Sequence, residues 1–181
     1  METPQRAGGS HDRSTLEVGV YGLSYRFFEF LIAVPAFFSN SIYPILLDTK
    51  EENLFNTLVK KYFGVLLLSA IILMVATLFL SPLLPLIKHD YSLSVAPLKI
   101  LSLSLPFFFV TSLLQWLFII KNRIKTLIVI YASAMLLNIF LNIVFIPIYS
   151  YMASSVITVV SEALVLFLML ISLGLQRAKN T

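Results

Sequence analysis

The sequence predicts an all-α protein, a polytopic transmembrane helical bundle of about five spans. The composition is 59% hydrophobic and 12% charged, with a mean hydropathy of +0.92, which leaves a water-soluble fold too little polar material for its surface. The apolar stretches are each at least as long as the roughly 20 residues that a helix needs to cross a bilayer. These stretches are residues 18–47, 62–87, 95–120, 127–147 and 152–175.

The apolar stretches do not have the pattern of a transmembrane β-barrel. Barrel strands alternate apolar and polar residues, because one face meets lipid and the other meets the lumen. Residues 65–80 run on without such alternation. Since lipid offers no hydrogen-bond partner to the backbone, each span is expected to be a helix.

The polar ends of the chain set the expected domain limits. Residues 1–15 are rich in Gly, Ser and Arg and are predicted to form a disordered tail. Residues 16–176 are predicted to be one transmembrane domain, and residues 177–181 a short cytoplasmic tail.

The chemistry-bearing residues exclude most enzyme classes. The chain has no cysteine, and its two histidines, His11 and His89, lie in the tail and in a loop. No metal-ligand cluster, Gly-rich phosphate loop or nucleophilic triad is recognisable. The net charge of +4 is modest and its bases lie at membrane edges, unlike a nucleic-acid surface. We therefore expect no enzyme, no cofactor, no metal and no nucleic-acid partner.

Lysine and arginine in the short connections predict the orientation in a cell (inner or plasma) membrane. Lys121, Arg123 and Lys125 follow the third span without any acid nearby, and such loops favour the cytoplasm. With five spans, this places the N-terminus outside and the C-terminus in the cytoplasm. An odd number of spans with an outside N-terminus and no signal peptide is typical of a piece of a longer chain, so a truncated chain is expected; a complete five-span protein is the alternative.

Charges within the spans are the strongest functional signal, because a charge at the bilayer centre costs about 2.5–3.5 kcal/mol on insertion scales. Arg26 and Glu29 lie three residues apart in the first span and can partly neutralise each other. A structural pair near the outer interface is the alternative to a functional role. Glu162 lies near the middle of the fifth span without a charged neighbour within one turn, which favours a functional role.

Polar residues accompany Glu162 at helical spacing. Ser154, Thr158 and Ser161 share its face of the fifth span, and such a face lines a hydrated cavity or packs on another helix. In the fourth span, Asn138 and Asn142 lie four residues apart. Hydrogen bonds between helices and contacts with a substrate are both open for these two amides.

Three segments resemble passages of one membrane-protein family. Residues 17–26 (EVGVYGLSYR), with Glu29, Pro35 and Pro44 following, resemble the pattern VGxYxxAYR…E…P…P. Residues 137–149 (LNIFLNIVFIPIY) are similar to LNxxLNxxLIPxYG, and residues 153–162 to GAAxAT…SE. The family is that of the polysaccharide-biosynthesis membrane proteins, the O-antigen-type flippases of the multidrug, oligosaccharidyl-lipid and polysaccharide (MATE-like) exporter superfamily. The chain departs from the pattern at Ser150, where the family usually has Gly, and at Ser24, where it often has Ala.

The resemblance covers residues 17–176 and corresponds to the C-terminal bundle of such a flippase. It implies transport of an oligosaccharide linked to polyprenyl pyrophosphate, by alternating access between two bundles. In this interpretation Arg26 binds phosphate or an acidic sugar and Glu29 orients it. Glu162 couples a proton or sodium ion, while Asn138, Asn142 and Thr158 bind substrate through hydrogen bonds.

The implied partners are membrane lipid, the lipid-linked oligosaccharide and a chain that supplies the missing N-terminal helices. Two alternatives remain open at this point. One is a noncatalytic membrane scaffold, assembly subunit or inactive remnant. The other is an exporter of drugs or of a peptidoglycan precursor.

Overall fold

The computed structural model of the chain describes the backbone of residues 8–179 and the side chains of residues 18–175. No strand occurs in residues 8–179, which confirms the all-α fold class. Two 3₁₀ segments, Ser81–Leu83 and His89–Ser94, connect α-helices in the middle of the chain. The α-helices are α1 (Gly8–Asp48), α2 (Glu52–Leu80), α3 (Leu84–Ile87), α4 (Val95–Ser102), α5 (Leu105–Ile120), α6 (Ile124–Tyr149) and α7 (Tyr151–Lys179).

The helices are those of a multi-pass membrane protein. Four are long and apolar enough to cross a bilayer: Val18–Asp48, Glu52–Ile87, Ile124–Tyr149 and Tyr151–Leu175. A fifth crossing is made if the bent pair His89–Ser102 and Leu105–Ile120, which meet at 46°, is counted as one span. The polytopic bundle of about five spans is thus confirmed.

The helices extend beyond the limits predicted from the apolar stretches. α1 begins at Gly8, so the tail predicted as disordered over residues 1–15 is helical from residue 8, and residues 1–7 lie outside the described part of the chain. α2 begins at Glu52 rather than at residue 62, and α7 continues to Lys179, beyond the start of the predicted cytoplasmic tail. Hydropathy marks the part of a helix that fits in lipid, whereas Lys, Glu and Gln are good helix formers that extend it into water.

The predicted third span is not one straight helix. α4 ends at Ser102 and α5 starts at Leu105. Pro106 has no N–H for the Ser102 carbonyl, which removes one helical hydrogen bond. The amides of Leu103 and Ser104 bond instead to the carbonyls three residues earlier, at 3.1 and 3.0 Å. The proline therefore turns a continuous apolar stretch into a bent pair.

The bent pair runs alongside α1, and the length of α1 that it contacts measures how far it reaches through the bundle. Contacts from Ser24 to Tyr43 of α1 cover about 28 Å at 1.5 Å per residue, close to the thickness of the hydrocarbon layer. The bent pair is therefore long enough to cross. In order along α1, these contacts are Ser24 Oγ to the Ser94 carbonyl (2.9 Å), the rings of Phe28 and Phe108 (5.4 Å), Ser39 Oγ to Ser112 Oγ (2.9 Å) and the rings of Tyr43 and Trp116 (4.3 Å).

Ser24, one of the departures from the resembled pattern, links α1 to the segment before α4. Its hydroxyl donates to the Ser94 carbonyl and lies 2.9 Å from the Val20 carbonyl, while Ser94 Oγ donates to the same Val20 carbonyl at 3.0 Å. Both serines are almost fully buried. An alanine at position 24 would lack this link between α1 and the segment before α4.

α5 lies at the centre and α6 at the edge of the bundle. α5 packs against α1, α2 and α7, and its Phe109, Leu113 and Phe118 are buried. α6 packs mainly against α7. The single residue between α6 and α7, Ser150, has φ 56° and ψ −152°, a conformation that favours glycine, the residue that the resembled family has there.

Candidate functional site

A polar pocket of about 360 Å³ lies between α1, α5, α6 and α7. On α7 its lining runs from Ser154, in the first turn, to Glu162, near the middle of the span, where polar groups are most costly in lipid. We call it the polar pocket. Its lining residues are Tyr21, Tyr25, Phe108, Asn138, Asn142, Ser154, Thr158, Ser161 and Glu162.

Hydrogen bonds between α6 and α7 build one wall of the pocket. Asn138 Nδ2 donates to Ser161 Oγ at 2.9 Å, and Ser154 Oγ donates to Asn142 Oδ1 at 2.9 Å. Asn142 Nδ2 in turn donates to Asn138 Oδ1 at 2.9 Å and to the Asn138 carbonyl at 2.8 Å. Because α6 and α7 are antiparallel and joined by one residue, positions at similar distances from Ser150 face each other. The amides thus bond between helices and also line the pocket, so both functions left open by the sequence are compatible with the structure.

Thr158 and Glu162 continue the same face of α7. Thr158 Oγ1 donates to the Ser154 carbonyl at 2.9 Å, so its lone pairs are the part left to accept a hydrogen bond. Glu162 is half-buried and lines the pocket. Its carboxylate has no ion pair or hydrogen bond to any side chain in the described range 18–175. A carboxylate held there can bind a proton, a small cation or a hydrogen-bond donor.

α1 and α5 supply an aromatic wall opposite α7. Tyr21 and Tyr25 lie four residues apart on α1, with ring centroids 5.8 Å apart, and Phe108 comes from α5. Tyr21 and Tyr25 were not predicted as site residues from the sequence, because tyrosines near span ends are usually interfacial anchors. Their spacing on one face of α1 was the signal that could have identified them.

The structure places Arg26 and Glu29 apart from the lining residues. Both are exposed on α1, and Arg26 is rotated by roughly 100° around the helix from Tyr25. The expected pair between them is not formed: within residues 18–175, the ion pair present joins Lys88 and Asp90 at 2.9 Å. The order Arg before Glu is the less favourable orientation for a pair on one helix.

Four of the six predicted site residues therefore meet in one pocket. These are Asn138, Asn142, Thr158 and Glu162. Within the part of the chain that the structure describes, no group of three or more His, Cys, Asp or Glu side chains could hold a metal ion.

Comparisons of the chain with models of protein families, with curated proteins and with solved structures find no match.

Proposed function

We propose that this chain is part of a transporter that moves the polar head of a lipid-linked oligosaccharide across the membrane, as its resemblance to O-antigen-type flippases implies. The observation that supports this proposal is the polar pocket, which combines two amides, three hydroxyl-bearing α7 side chains and one carboxylate inside an apolar bundle, between the α6–α7 turn and the middle of the spans. Ligand sites in proteins have volumes of about 300–1,000 Å³. The pocket, at about 360 Å³, lies in that range.

The pocket meets the main physical demand of lipid transport. Transfer of a sugar-phosphate head into hydrocarbon costs several kcal/mol of free energy for each hydroxyl group that has no hydrogen-bond partner there. Asn138, Asn142 and Thr158 offer donors and acceptors at that depth, while the lipid tail of the carrier stays in the bilayer. The rings of Tyr21 and Tyr25 add apolar faces with polar ends, which suit the two sides of a sugar ring.

Glu162 is the residue that we propose couples transport to an ion. An ionised carboxylate at mid-depth is costly, so a proton or sodium ion that neutralises it changes the free energy of the surrounding helices. Binding and release of that ion on opposite sides of the membrane then bias the conformational cycle. The ion can shift the cycle only if it binds the two conformations with different affinity.

Arg26 and Glu29 have a place in this proposal outside the pocket. Both are exposed on α1, where contact with lipid is unfavourable for a charge. A second helical body packed on this side of α1, such as the N-terminal bundle of the resembled flippases, would bury them. Arg26 would then face the carrier's phosphate from the interface between the two bodies, since guanidinium matches phosphate geometry.

The proposed orientation places the N-terminus outside and the C-terminus in the cytoplasm of a cell (inner or plasma) membrane. It depends on the bent pair α4–α5 crossing as one span. Because the chain has no cysteine, single cysteines at Thr49, Asn122 and Ser150 can be labelled with a membrane-impermeant reagent. We expect labelling from outside only at Ser150; labelling of Asn122 from outside would contradict the five-span orientation.

The transport proposal is tested by deletion and complementation in the native host. Deletion is expected to remove surface glycan and to leave carrier-linked oligosaccharide inside the cell. A Glu162→Gln variant is expected to restore little surface glycan, because a glutamine amide can neither take up a proton nor neutralise a sodium ion. The matched control Glu52→Gln, at the exposed start of α2, should restore it fully.

Other outcomes separate the alternative functions. Normal surface glycan after deletion would overturn the oligosaccharide proposal, and drug sensitivity in that strain would favour a drug exporter. Full complementation by Glu162→Gln would show that the carboxylate does not couple an ion and would favour a scaffold.

A further inference from the structure

A second pocket lies between α6 and α7 at the end of the bundle away from the polar pocket. It has a volume of about 400 Å³. Its polar end is formed by Arg123 and Thr126, next to the turn between α5 and α6. Apolar side chains continue from there into the bundle; we call the whole pocket the basic groove. These side chains are Ile130, Leu168, Ile171 and Leu175.

The turn before α6 aims Arg123 into the groove. α5 ends at Ile120, and Asn122, two residues later, has φ 54°, a left-handed conformation that asparagine tolerates. The Arg123 amide bonds to the Phe118 carbonyl at 2.8 Å and the Asn122 amide to the Ile119 carbonyl at 2.9 Å, the two bonds of a Schellman cap. The cap reverses the chain so that Arg123 lies over α7.

The Arg123 guanidinium is held in place on both sides. Its Nη1 donates to the Ser172 carbonyl of α7 at 3.0 Å, and its Cζ lies 5.5 Å from the centroid of the Phe118 ring. A cation over an aromatic face is stabilised by the ring quadrupole. The positive charge therefore stands at a fixed position at the mouth of the groove.

The charge around this mouth is of one sign. Lys121 and Lys125 flank Arg123 in the sequence and are exposed outside the groove lining, and the sequence has no acid between Asp90 and Glu162. α7 carries Arg177 and Lys179 towards the same end of the bundle. The other short loop predicted on this side differs, because Asp48, Glu51 and Glu52 offset its lysines.

We propose that the basic groove binds one anionic phospholipid of the adjacent leaflet. Its phosphate would lie between Lys121, Arg123 and Lys125, and one acyl chain would follow Ile130 and Leu168. The combination of a basic mouth at the membrane edge with an apolar wall leading into the hydrocarbon fits a lipid, whose charge and tail have the same arrangement. A soluble phosphate would use the mouth and leave the apolar wall without a function. The site is independent of the polar pocket and of the function proposed for it.

The test measures lipid retention by the purified full chain in detergent, using native mass spectrometry. Wild type is expected to retain one dioleoylphosphatidylglycerol and to release dioleoylphosphatidylcholine. Lys121→Gln/Lys125→Gln should weaken retention about 25-fold, since each basic residue near an anionic headgroup contributes a factor of about five. Lys60→Gln/Lys61→Gln removes two exposed lysines of α2 and should leave retention unchanged. Equal losses in the two variants, or equal retention of the two lipids, would overturn the proposal.

The apolar part of the site is tested without a change of charge. Ile171 is 42% exposed at the wall of the groove, so Ile171→Trp can fill the groove while the helices stay packed, and it should abolish retention of phosphatidylglycerol. Phe167, 59% exposed and outside the groove lining, provides the control Phe167→Trp, which should retain the lipid. Inorganic phosphate should fail to displace the lipid at millimolar concentration. Displacement by phosphate, or retention by Ile171→Trp, would contradict a lipid site.

Discussion

α5 and α6 have similar hydropathy and opposite surroundings. α5 spans residues 105–120, and half of its side chains are buried; α6 spans residues 124–149 and buries Leu127, Ile130 and Ala134. Most other α6 side chains point outwards, for example Leu136, which is 64% exposed. Lipid tails are as apolar as leucine, so a membrane helix needs apolar residues on both its lipid face and its protein face. Hydropathy therefore locates both helices and cannot tell which of them is central.

Polar residues mark the protein face of α6. Asn138 and Asn142 point towards α7 and bond to Ser161 and Ser154, while Ile139 and Ile143 point outwards. An amide in hydrocarbon needs a partner, whereas isoleucine does not. The few polar positions of α6 therefore determine which face of the helix turns towards α7.

The largest predicted difference between the helices concerns their phenylalanines. Phe109 of α5 is 0% exposed and Phe140 of α6 is 62% exposed. Phe109→Ala leaves a cavity in the bundle and should lower the free energy of unfolding by about 3–5 kcal/mol. Phe140→Ala should change it by less than about 0.5 kcal/mol. Unfolding of both variants in bicelles measures the difference, and equal effects would show that α6 has a protein neighbour on its outer face.

The second prediction concerns the amides of α6. Asn138→Leu removes the interhelical bond to Ser161, worth about 0.6 kcal/mol on average, and also the side-chain acceptor for Asn142 within α6. We expect a loss of about 1–2 kcal/mol, because the buried Ser161 hydroxyl loses its donor and Asn142 Nδ2 keeps only the Asn138 carbonyl as acceptor. Asn40→Leu, at an exposed position of α1, is the control and should be close to neutral. A more stable Asn138→Leu variant would indicate that the amide is kept for substrate and not for packing.

The smallest effect is expected at the turns that end the two helices. Ser150, after α6, has φ 56° and ψ −152°, and Asn122, after α5, has φ 54°. Ser150→Gly relieves a strained backbone conformation, which costs about 1–3 kcal/mol, but glycine loses more conformational entropy on folding than serine does. The net stabilisation should be about 1 kcal/mol. Asn122→Gly should be nearly neutral, since asparagine already suits its capping position. Thermal unfolding in detergent compares the two, and destabilisation by Ser150→Gly would mean that the serine side chain matters more than the backbone.

The fold class and the approximate spans were predictable because they depend on length and apolar content alone. The bend between α4 and α5 was not, since a proline such as Pro106 occurs both in kinked helices and at the starts of straight ones. The helical segment from Gly8 to residue 15 was missed for a different reason. A composition rich in Gly and Ser indicates a disordered tail. Once a long helix has formed, however, adding turns at its N-terminal end is easier than starting a new helix, so α1 can continue back into such a segment.

The candidate site was predictable where one helix carried the whole signal. Glu162 and Thr158 share a face with Ser154, and that face can be read from spacing. Tyr21 and Phe108 reach the same pocket from α1 and α5, and only the packing of helices distant in sequence brings them there. Roles for Arg26 and Glu29 remain predictions, since no contact of the described chain tests them.

The dependence of α6 on α7 has a consequence for biosynthesis. When the ribosome has completed α6, its amides have no interhelical partner, because Ser154 and Ser161 are still to be translated. The two segments are therefore best released from the translocon as one antiparallel hairpin, in which the polar side chains of each helix are hydrogen-bonded to the other. A stop codon between them would leave a helix that the cell's quality-control proteases can recognise by its unsatisfied asparagines.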